Sequence, residues 1–167
     1  MKVMGFAGFS GSGKTTLIEQ VIGLLRSDGL SVSVIKHAHH RFDIDKPGKD
    51  SWRHRQAGAG EVLLTSEHRW VLMHELGDEP EPPIEAHLAR MSPCDLVLVE
   101  GFKHADIPKI EVHRPSVGKP LLYPDDERIV AVATDQPDLP LRAGLRRLDL
   151  NRPAEVADFV RHHLGMC

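Results

Sequence analysis

The stretch with the clearest chemical potential is a glycine-rich octapeptide near the amino terminus. Residues 8–15 read GFSGSGKT and match the pattern G-x-x-x-x-G-K-[ST] at every fixed position. Glycines let backbone N–H groups close on an anion, a lysine neutralises phosphate oxygens, and a threonine hydroxyl can bind Mg²⁺. An apolar run precedes the loop and an amphipathic helix follows it, which favours a phosphate site over a plain turn. The predicted phosphate-contacting residues are Gly8, Ser10, Gly11, Ser12, Gly13, Lys14, Thr15 and Thr16.

A phosphate loop of this kind works with a carboxylate on a neighbouring strand, which holds Mg²⁺ directly or through water. Asp95 and Glu100 bracket the most apolar strand candidate, and five residues place them roughly 16 Å apart. Ligands of open parallel sheets bind beyond the carboxyl ends of strands. We therefore predict Glu100 and Thr15 as the metal side, with Gly101 turning the chain close to the phosphates and Asp95 as a turn residue. The alternative is that Glu100 only ends its strand.

A second carboxylate lies at the end of the apolar strand around residues 129–133. Asp135 could accept hydrogen bonds from N1–H and N2–H₂ of guanine, a donor pair that adenine lacks. We predict Asp135 as a base contact, with Asp138 as a weaker candidate, although the chain has no Asn-Lys-x-Asp string. The alternative is a turn acid ahead of Pro137.

The segment 36–55 is locally basic and rich in histidine. It follows the second predicted strand, so we expect it on the phosphate side of the sheet, where it could contact a γ-phosphate or an anionic substrate. The alternative is a solvated loop. A zinc site at His37, His39 and His40 is disfavoured because tetrahedral zinc needs four ligands and no cysteine-rich partner set lies nearby.

These residues require a scaffold in which strands alternate with helices. Strands are predicted near residues 2–7, 32–35, 61–65, 69–73, 95–100, 107–112 and 129–133, and helices near 15–27, 51–57, 83–91 and 153–164. Such alternation predicts an α/β P-loop NTPase, with a mostly parallel sheet and helices on both faces. The 167 residues suit a single nucleotide-binding domain over residues 1–167.

Composition narrows the function classes. A net charge of −3 argues against a general nucleic-acid binder, and no apolar run is long enough to cross a membrane. The two cysteines, Cys94 and Cys167, make a disulfide scaffold unlikely and favour a cytoplasmic location. No residue stands out as a water-positioning glutamine or as an arginine finger within the chain, so we expect any nucleotide hydrolysis to be slow.

With these pieces assembled, the chain resembles the molybdopterin-guanine dinucleotide biosynthesis protein B (MobB) family. The most specific strings are DKPGKDS at residues 45–51 and VEGFK at residues 99–103, beside the phosphate loop and KHAHH at residues 36–40. The resemblance implies a homodimeric, Mg²⁺-dependent GTP-binding protein of the cytosol with weak GTPase activity. It also implies an adaptor role beside the guanylyltransferase that joins GMP to molybdopterin, so that the molybdopterin cofactor and this enzyme are the expected partners.

Two other functions fit the same phosphate loop. A small-molecule kinase would need a base, for which Asp43 and Asp45 are candidates, and arginines in a lid, for which Arg53, Arg55 and Arg90 are candidates. A non-catalytic scaffold would use the nucleotide only to set the shape of a dimer.

Overall fold

A computed structural model describes residues 1–38 and 42–166 of the chain. It forms two compact units. The first, here the sheet unit, comprises Met1–His37 and His87–Cys167, and the second, the hairpin unit, comprises Ala38–Ala86. The single nucleotide-binding domain over residues 1–167 stays a prediction.

The sheet unit contains six strands and two long helices. They are β1 (Lys2–Ala7), α1 (Lys14–Ser27), β2 (Val32–Lys36), β5 (Leu96–Glu100), β6 (Lys109–His113), β7 (Ile129–Thr134), β8 (Arg146–Asp149) and α4 (Pro153–His163). The hairpin unit contains α2 (Asp50–Gln56), β3 (Glu61–Thr65) and β4 (Trp70–His74), and α3 (Ile84–Arg90) follows at its carboxyl end. Short 3₁₀ turns cover Pro115–Val117 and Tyr123–Asp125.

The six strands form one sheet in the order β2-β5-β1-β6-β7-β8, and every neighbouring pair is parallel. The predicted α/β architecture with a mostly parallel sheet is confirmed. From β1 the chain first runs to β2, which lies on one side of β1 in the sheet. It later returns to β6, which lies on the other side of β1. Loops at such a switch of direction line the crevice in which open parallel sheets bind ligands. The phosphate loop follows β1 and therefore occupies this position.

Apolar patterning explains the centre of the sheet and its helical cover. All five residues of β5 are buried, as expected for a strand between two parallel neighbours. Helix α1 buries Leu17, Ile18, Val21 and Leu25 at helical spacing, and α4 buries Val156, Ala157 and Val160 in the same core. Gly29, with φ of 85°, follows the end of α1, and Leu30 N–H donates to the carbonyl of Leu25.

Two charged residues of β6 are buried with dedicated partners. Glu111 is 1% exposed and accepts hydrogen bonds from the backbone N–H groups of Leu122, at 2.7 Å, and Tyr123, at 2.9 Å. Burial raises the pKa of the Glu111 carboxyl, although these two bonds oppose the rise. Lys109 is fully buried and forms an ion pair with Asp126 at 2.7 Å. Both residues therefore attach loops to the sheet instead of meeting solvent.

The hairpin unit holds one antiparallel ribbon and an ionic cluster. Strands β3 and β4 pair with Leu63 opposite Leu72 and Leu64 opposite Val71. Arg55 of α2 donates to Asp43 (2.5 Å), to both oxygens of Asp45 (2.7 and 3.2 Å) and to Glu75 (2.6 Å). We call these four residues the Arg55 cluster.

The structure departs from the predicted elements at a few places. Strand β8 was missing from the prediction because its residues, RRLD, contain one buried apolar side chain, Leu148, at the edge of the sheet. Strand β6 begins at Lys109 and not at Ile107, and β4 begins one residue later than predicted. Within the described residues, no helix has the length and apolar character needed to span a membrane.

Candidate functional site

Three glycines of the phosphate loop have backbone angles that other residues rarely adopt. The φ angles are 148° at Gly8, 83° at Gly11 and 93° at Gly13. At Gly8 a β-carbon would also lie 2.4 Å from the carbonyl oxygen of Val112, which leaves no room for a side chain. The loop then enters α1 at Lys14, so its N–H groups combine with the positive end of the helix. This geometry is an anion-binding nest.

The polar side chains of Ser12 and Lys14 in the loop indicate how it would receive an anion. Ser12 is 2% exposed, and its buried Oγ has no hydrogen-bond partner among residues 1–38 and 42–166. Lys14 Nζ donates to the carbonyl of Phe9 at 2.8 Å. Burial lowers the pKa of the Lys14 ammonium, Glu100 opposes that shift, and the nearby Lys103 and Lys36 add to it. An anionic ligand would relieve this crowding of positive charge.

The predicted metal-side pair meets beside the loop. Thr15 Oγ1 donates to Glu100 Oε1 at 2.8 Å, and Lys36 Nζ lies 3.5 Å from Glu100 Oε2. Glu100 is only 9% exposed and lies at the carboxyl end of β5, in register with Phe6 of β1 and Lys36 of β2. A hydroxyl and a carboxylate are hard oxygen donors that suit Mg²⁺, which takes its other ligands from phosphate and water. The residues present therefore fit a Mg²⁺·nucleotide.

At the other end of β5, Asp95 accepts hydrogen bonds from Ser31 N–H at 2.7 Å and Ser31 Oγ at 2.5 Å. Its pKa is lowered by these bonds. This arrangement agrees with the predicted turn role and leaves Glu100 as the carboxylate on the phosphate side.

Gly101 makes a close approach to the end of β2. A β-carbon at Gly101, where φ is 97°, would lie 2.8 Å from Cβ of His37, and the predicted turn of the chain beside the phosphates stays a prediction. The next residue, Phe102, also has a positive φ of 49°, which is rare outside glycine. Its ring packs against His37 with centroids 4.8 Å apart. His37 thus packs against the loop after β5, whereas His39 and His40 lie outside the described residues.

The loop after β5 brings a cation to the phosphate loop. Lys103 Nζ lies 4.7 Å from the centroid of the Phe9 ring. Buried Lys109 stabilises this loop, because its Nζ donates to the carbonyls of Lys103 at 2.7 Å and Ala105 at 3.0 Å. A β-carbon at Gly5 would lie 2.6 Å from Cγ of Lys109, so glycine in β1 makes room for this side chain.

On the far side of β1, the structure pairs Asp135 with an arginine. Arg114 Nη1 donates to Asp135 Oδ2 at 2.6 Å, and the guanidinium lies against Gly13 of the phosphate loop. Asp135 borders a cavity of about 360 Å³ at the carboxyl ends of β7 and β8. Its polar lining is Thr134, Asp135, Gln136, Arg147, Asp149, Asn151 and Glu155. Asp138 instead lines a separate depression with Arg142 and Arg146.

The structure thus brings together the loop, Thr15 and Glu100, with Asp135 across β1. Sequence reasoning expected the loop of residues 101–109, with Lys103, to face the pterin phosphate or the partner enzyme, but it missed Arg114. Arg114 could have been found by the rule that selected Glu100, because it directly follows the carboxyl end of β6. Residues 42–55 belong to the hairpin unit, and their expected contact with phosphate stays a prediction. Among the described residues, no group of three or more His, Cys, Asp or Glu side chains is arranged to hold a metal.

The class of protein follows from this architecture. A six-stranded parallel sheet with a glycine-rich loop between its central strand and a helix defines a P-loop NTPase-like fold. The family follows from sequence. The model of the family described as Molybdopterin guanine dinucleotide synthesis protein B (MobB) matches residues 3–135, and the chain belongs to this family.

Individual relatives agree across nearly the whole chain. The chain is 46% identical to a molybdopterin-guanine dinucleotide biosynthesis adapter protein of Haemophilus influenzae, over 97% of this chain and 89% of the relative. It is 44% identical to the protein of the same name from Escherichia coli, over 95% and 90% of the two chains. A solved structure described as molybdopterin-guanine biosynthesis protein B superimposes with a TM-score of 0.75 and 27% identity. The match covers 98% of this chain and 99% of that chain.

A more distant match is of a different kind. A uridine kinase of Leuconostoc citreum is 28% identical over 59% of this chain and 51% of its own length. This partial match is relevant to the kinase alternative.

Proposed function

We propose that the protein is a Mg²⁺·GTP-binding adaptor that assists the attachment of GMP to molybdopterin. Membership of the MobB family and the names of the relatives from Haemophilus influenzae and Escherichia coli support the assignment to this pathway. The observation that carries nucleotide binding is the Thr15–Glu100 contact of 2.8 Å beside the glycine loop. It supplies an Mg²⁺-compatible oxygen pair next to an anion nest, as P-loop proteins require.

In this proposal the loop amides and Lys14 hold the phosphates, and the base occupies the cavity bordered by Asp135. Carboxylates from Asp149 and Glu155 line that cavity beside Arg147, whereas Asp135, at its border, is paired with Arg114. Such acceptors match the N1–H and N2–H₂ donors of guanine and offer adenine less. We expect GTP hydrolysis to be weak, since the site as proposed contains no group assigned to activate water.

The first test is a titration of the purified protein with GTP and ATP, with and without Mg²⁺. The proposal predicts tighter binding of GTP than of ATP, and tighter binding of GTP with Mg²⁺ than without. Equal affinity for both nucleotides would refute guanine preference, and no binding of either would refute the nucleotide site.

The adaptor role needs a separate assay with the guanylyltransferase and molybdopterin. Adding the protein together with Mg²⁺·GTP should raise the yield of the guanine dinucleotide form, and the Lys14→Ala variant should raise it less. If the wild type and this variant stimulate the reaction equally, the nucleotide site has no part in the adaptor function.

The kinase alternative loses support from the Arg55 cluster. Hydrogen bonds from Arg55 lower the pKa of Asp45, which makes this carboxylate a poorer proton acceptor. Arg55 itself is occupied by three carboxylates. Rapid transfer of phosphate from ATP or GTP to a nucleoside such as uridine would restore the kinase assignment.

The hairpin unit supports a homodimer as part of the proposal. Leu63 and Leu72 form one cross-strand pair and are 59% and 46% exposed, and Trp70 is 66% exposed. A two-stranded ribbon is marginally stable alone, so a second copy of this chain is the proposed cover. Sedimentation should give a dimer for the wild type and a monomer for Leu72→Lys. A monomeric wild type would refute the dimer. Cytoplasmic location stays a prediction from cysteine usage.

A further inference from the structure

Arg114 lies against the phosphate loop without belonging to it. A β-carbon at Gly13 would meet Arg114 Nε at 3.4 Å and Nη2 at 3.8 Å. Nη1 donates to Asp135 Oδ2 at 2.6 Å. Within the part of the chain that the structure describes, Asp135 is the only hydrogen-bond partner of this guanidinium. The N–H groups of Nε and Nη2 are therefore available as donors beside Gly13, the residue that precedes α1.

The sheet order separates two sides of the phosphate loop. Glu100 and Lys36 end β5 and β2, on one side of β1, whereas Arg114 and Asp135 directly follow β6 and β7, on the other. The cavity at the ends of β7 and β8 continues this second side. A nucleotide with its metal-bound phosphates near Glu100 and its base in the cavity would therefore pass Arg114 between the two.

We propose that Arg114 binds the phosphate nearest the ribose of the bound nucleotide, and that Asp135 holds the guanidinium in position. This inference rests on the proposed nucleotide-binding function. A guanidinium is always charged and presents several donors in one plane, so it can bond a carboxylate with one edge and a phosphate with another. Arg114 is then a binding residue, and Asp135 is a positioning residue that acts through it.

Contact between Arg114 and the phosphate nearest the ribose predicts how Arg114 substitutions change the affinity for each guanine nucleotide. GTP and GDP share the phosphate nearest the ribose and the one next to it, so Arg114→Gln should weaken both by the same factor, about tenfold. GMP carries only the phosphate nearest the ribose and should lose the same factor, whereas an unchanged GMP affinity would place the arginine further along the phosphate chain. Arg114→Lys keeps the charge and should lose less. Arg128→Gln is the matched control, because Arg128 pairs with Asp126 at the amino end of β7 and should leave both affinities unchanged. A loss confined to GTP would overturn the assignment, as it would place the arginine at the terminal phosphate.

Asp135→Asn separates positioning from base recognition. Inosine triphosphate lacks the 2-amino group of GTP, and xanthosine triphosphate carries an oxygen there. If Asp135 only holds Arg114, Asp135→Asn should weaken the binding of all three nucleotides by the same factor. Combining Asp135→Asn with Arg114→Gln should then cause no further loss of affinity. A switch of Asp135→Asn from GTP towards xanthosine triphosphate would overturn the positioning role and support direct reading of the base.

The outcomes distinguish this inference from the function on which it rests. Wild-type protein that binds neither GTP nor GDP would refute the proposed nucleotide site itself. Wild-type binding that persists unchanged in a folded Arg114→Gln variant would refute the role of Arg114 alone. Thermal unfolding of each variant checks the fold, and Asp135→Asn provides an independent reading if Arg114→Gln does not fold.

Discussion

Two charged clusters in this chain are built on opposite principles. Around the phosphate loop, the Lys14 ammonium has two further cations nearby, Lys36 and Lys103, and among the described residues Glu100 is the carboxylate that opposes their effect on its pKa. In the Arg55 cluster, a single guanidinium is bonded to three carboxylates. The first cluster has an excess of positive charge next to the amino-terminal end of α1. The second has every edge of its cation occupied.

This difference separates the proposed binding site from a structural attachment. Charge that is already paired gains nothing from a ligand, whereas crowded like charges gain from an anion. The Arg55 cluster therefore joins the loop of residues 43–45 to α2 and to Glu75 after β4. The phosphate-loop cluster is the region in which we expect substitutions to change ligand affinity.

The largest effect is expected from Lys14→Ala. Removing the ammonium from the centre of the positive cluster should weaken Mg²⁺·GTP binding about a hundredfold, the range for a charged hydrogen bond to phosphate in a partly buried site. Isothermal titration of the wild type and the variant measures this loss. Lys2→Ala, at the opposite end of β1, is the matched control. An affinity unchanged by Lys14→Ala would remove the proposed contrast between the two clusters.

A smaller effect, of about tenfold, is expected from Glu100→Gln. The variant should lose the part of GTP affinity that depends on Mg²⁺ while it keeps the affinity measured in EDTA. Asp95→Asn, at the other end of β5, should preserve the Mg²⁺ dependence. If both variants respond to Mg²⁺ as the wild type does, Glu100 is not on the metal side.

Arg55→Met tests the structural half of the comparison. Without the guanidinium, Asp43, Asp45 and Glu75 repel one another, so amides of the hairpin unit should exchange with deuterium several-fold faster. Arg53→Met, on the same helix but exposed, is the control. Arg55→Lys should rescue poorly, since one ammonium cannot reproduce the four hydrogen bonds of Arg55. Full rescue by lysine would show that charge alone is sufficient.

The smallest effect is a dependence on acid pH. Arg55 lowers the pKa of Asp45 below its ordinary value of 3.8. Stabilisation by Asp45 is thus complete above that value and is lost as the pH falls through the lowered pKa of the folded state. Exchange of hairpin-unit amides should accelerate below about pH 4, and Asp45→Asn should flatten this response. The same acid response in Asp45→Asn would assign it to other groups.

Local sequence patterns predicted the central part of the fold and of the candidate site. The glycine loop, the apolar β5 and the amphipathic α1 each carry their signal within a few consecutive residues. Because parallel strands end at one edge of the sheet, the place of Glu100 near Thr15 could be predicted from strand direction alone.

The remaining features depend on contacts between distant residues. Strand β8 has one buried apolar residue, Leu148, and takes its place through pairing with β7. The approach of Gly101 to His37 depends on the pairing of β5 with β2. The Arg114–Asp135 pair joins residues that become neighbours only when β6 and β7 align. No periodicity within a single segment encodes these three contacts.

The central claim is that residues 8–15 form a nest for the triphosphate of a nucleotide. Its most direct test is a crystal structure of the protein with Mg²⁺ and a non-hydrolysable GTP analogue. We predict phosphate oxygens within hydrogen-bond distance of the loop amides and Lys14 Nζ, and the metal beside Thr15 and Glu100. A nucleotide bound elsewhere, with this loop empty or collapsed, would contradict the account.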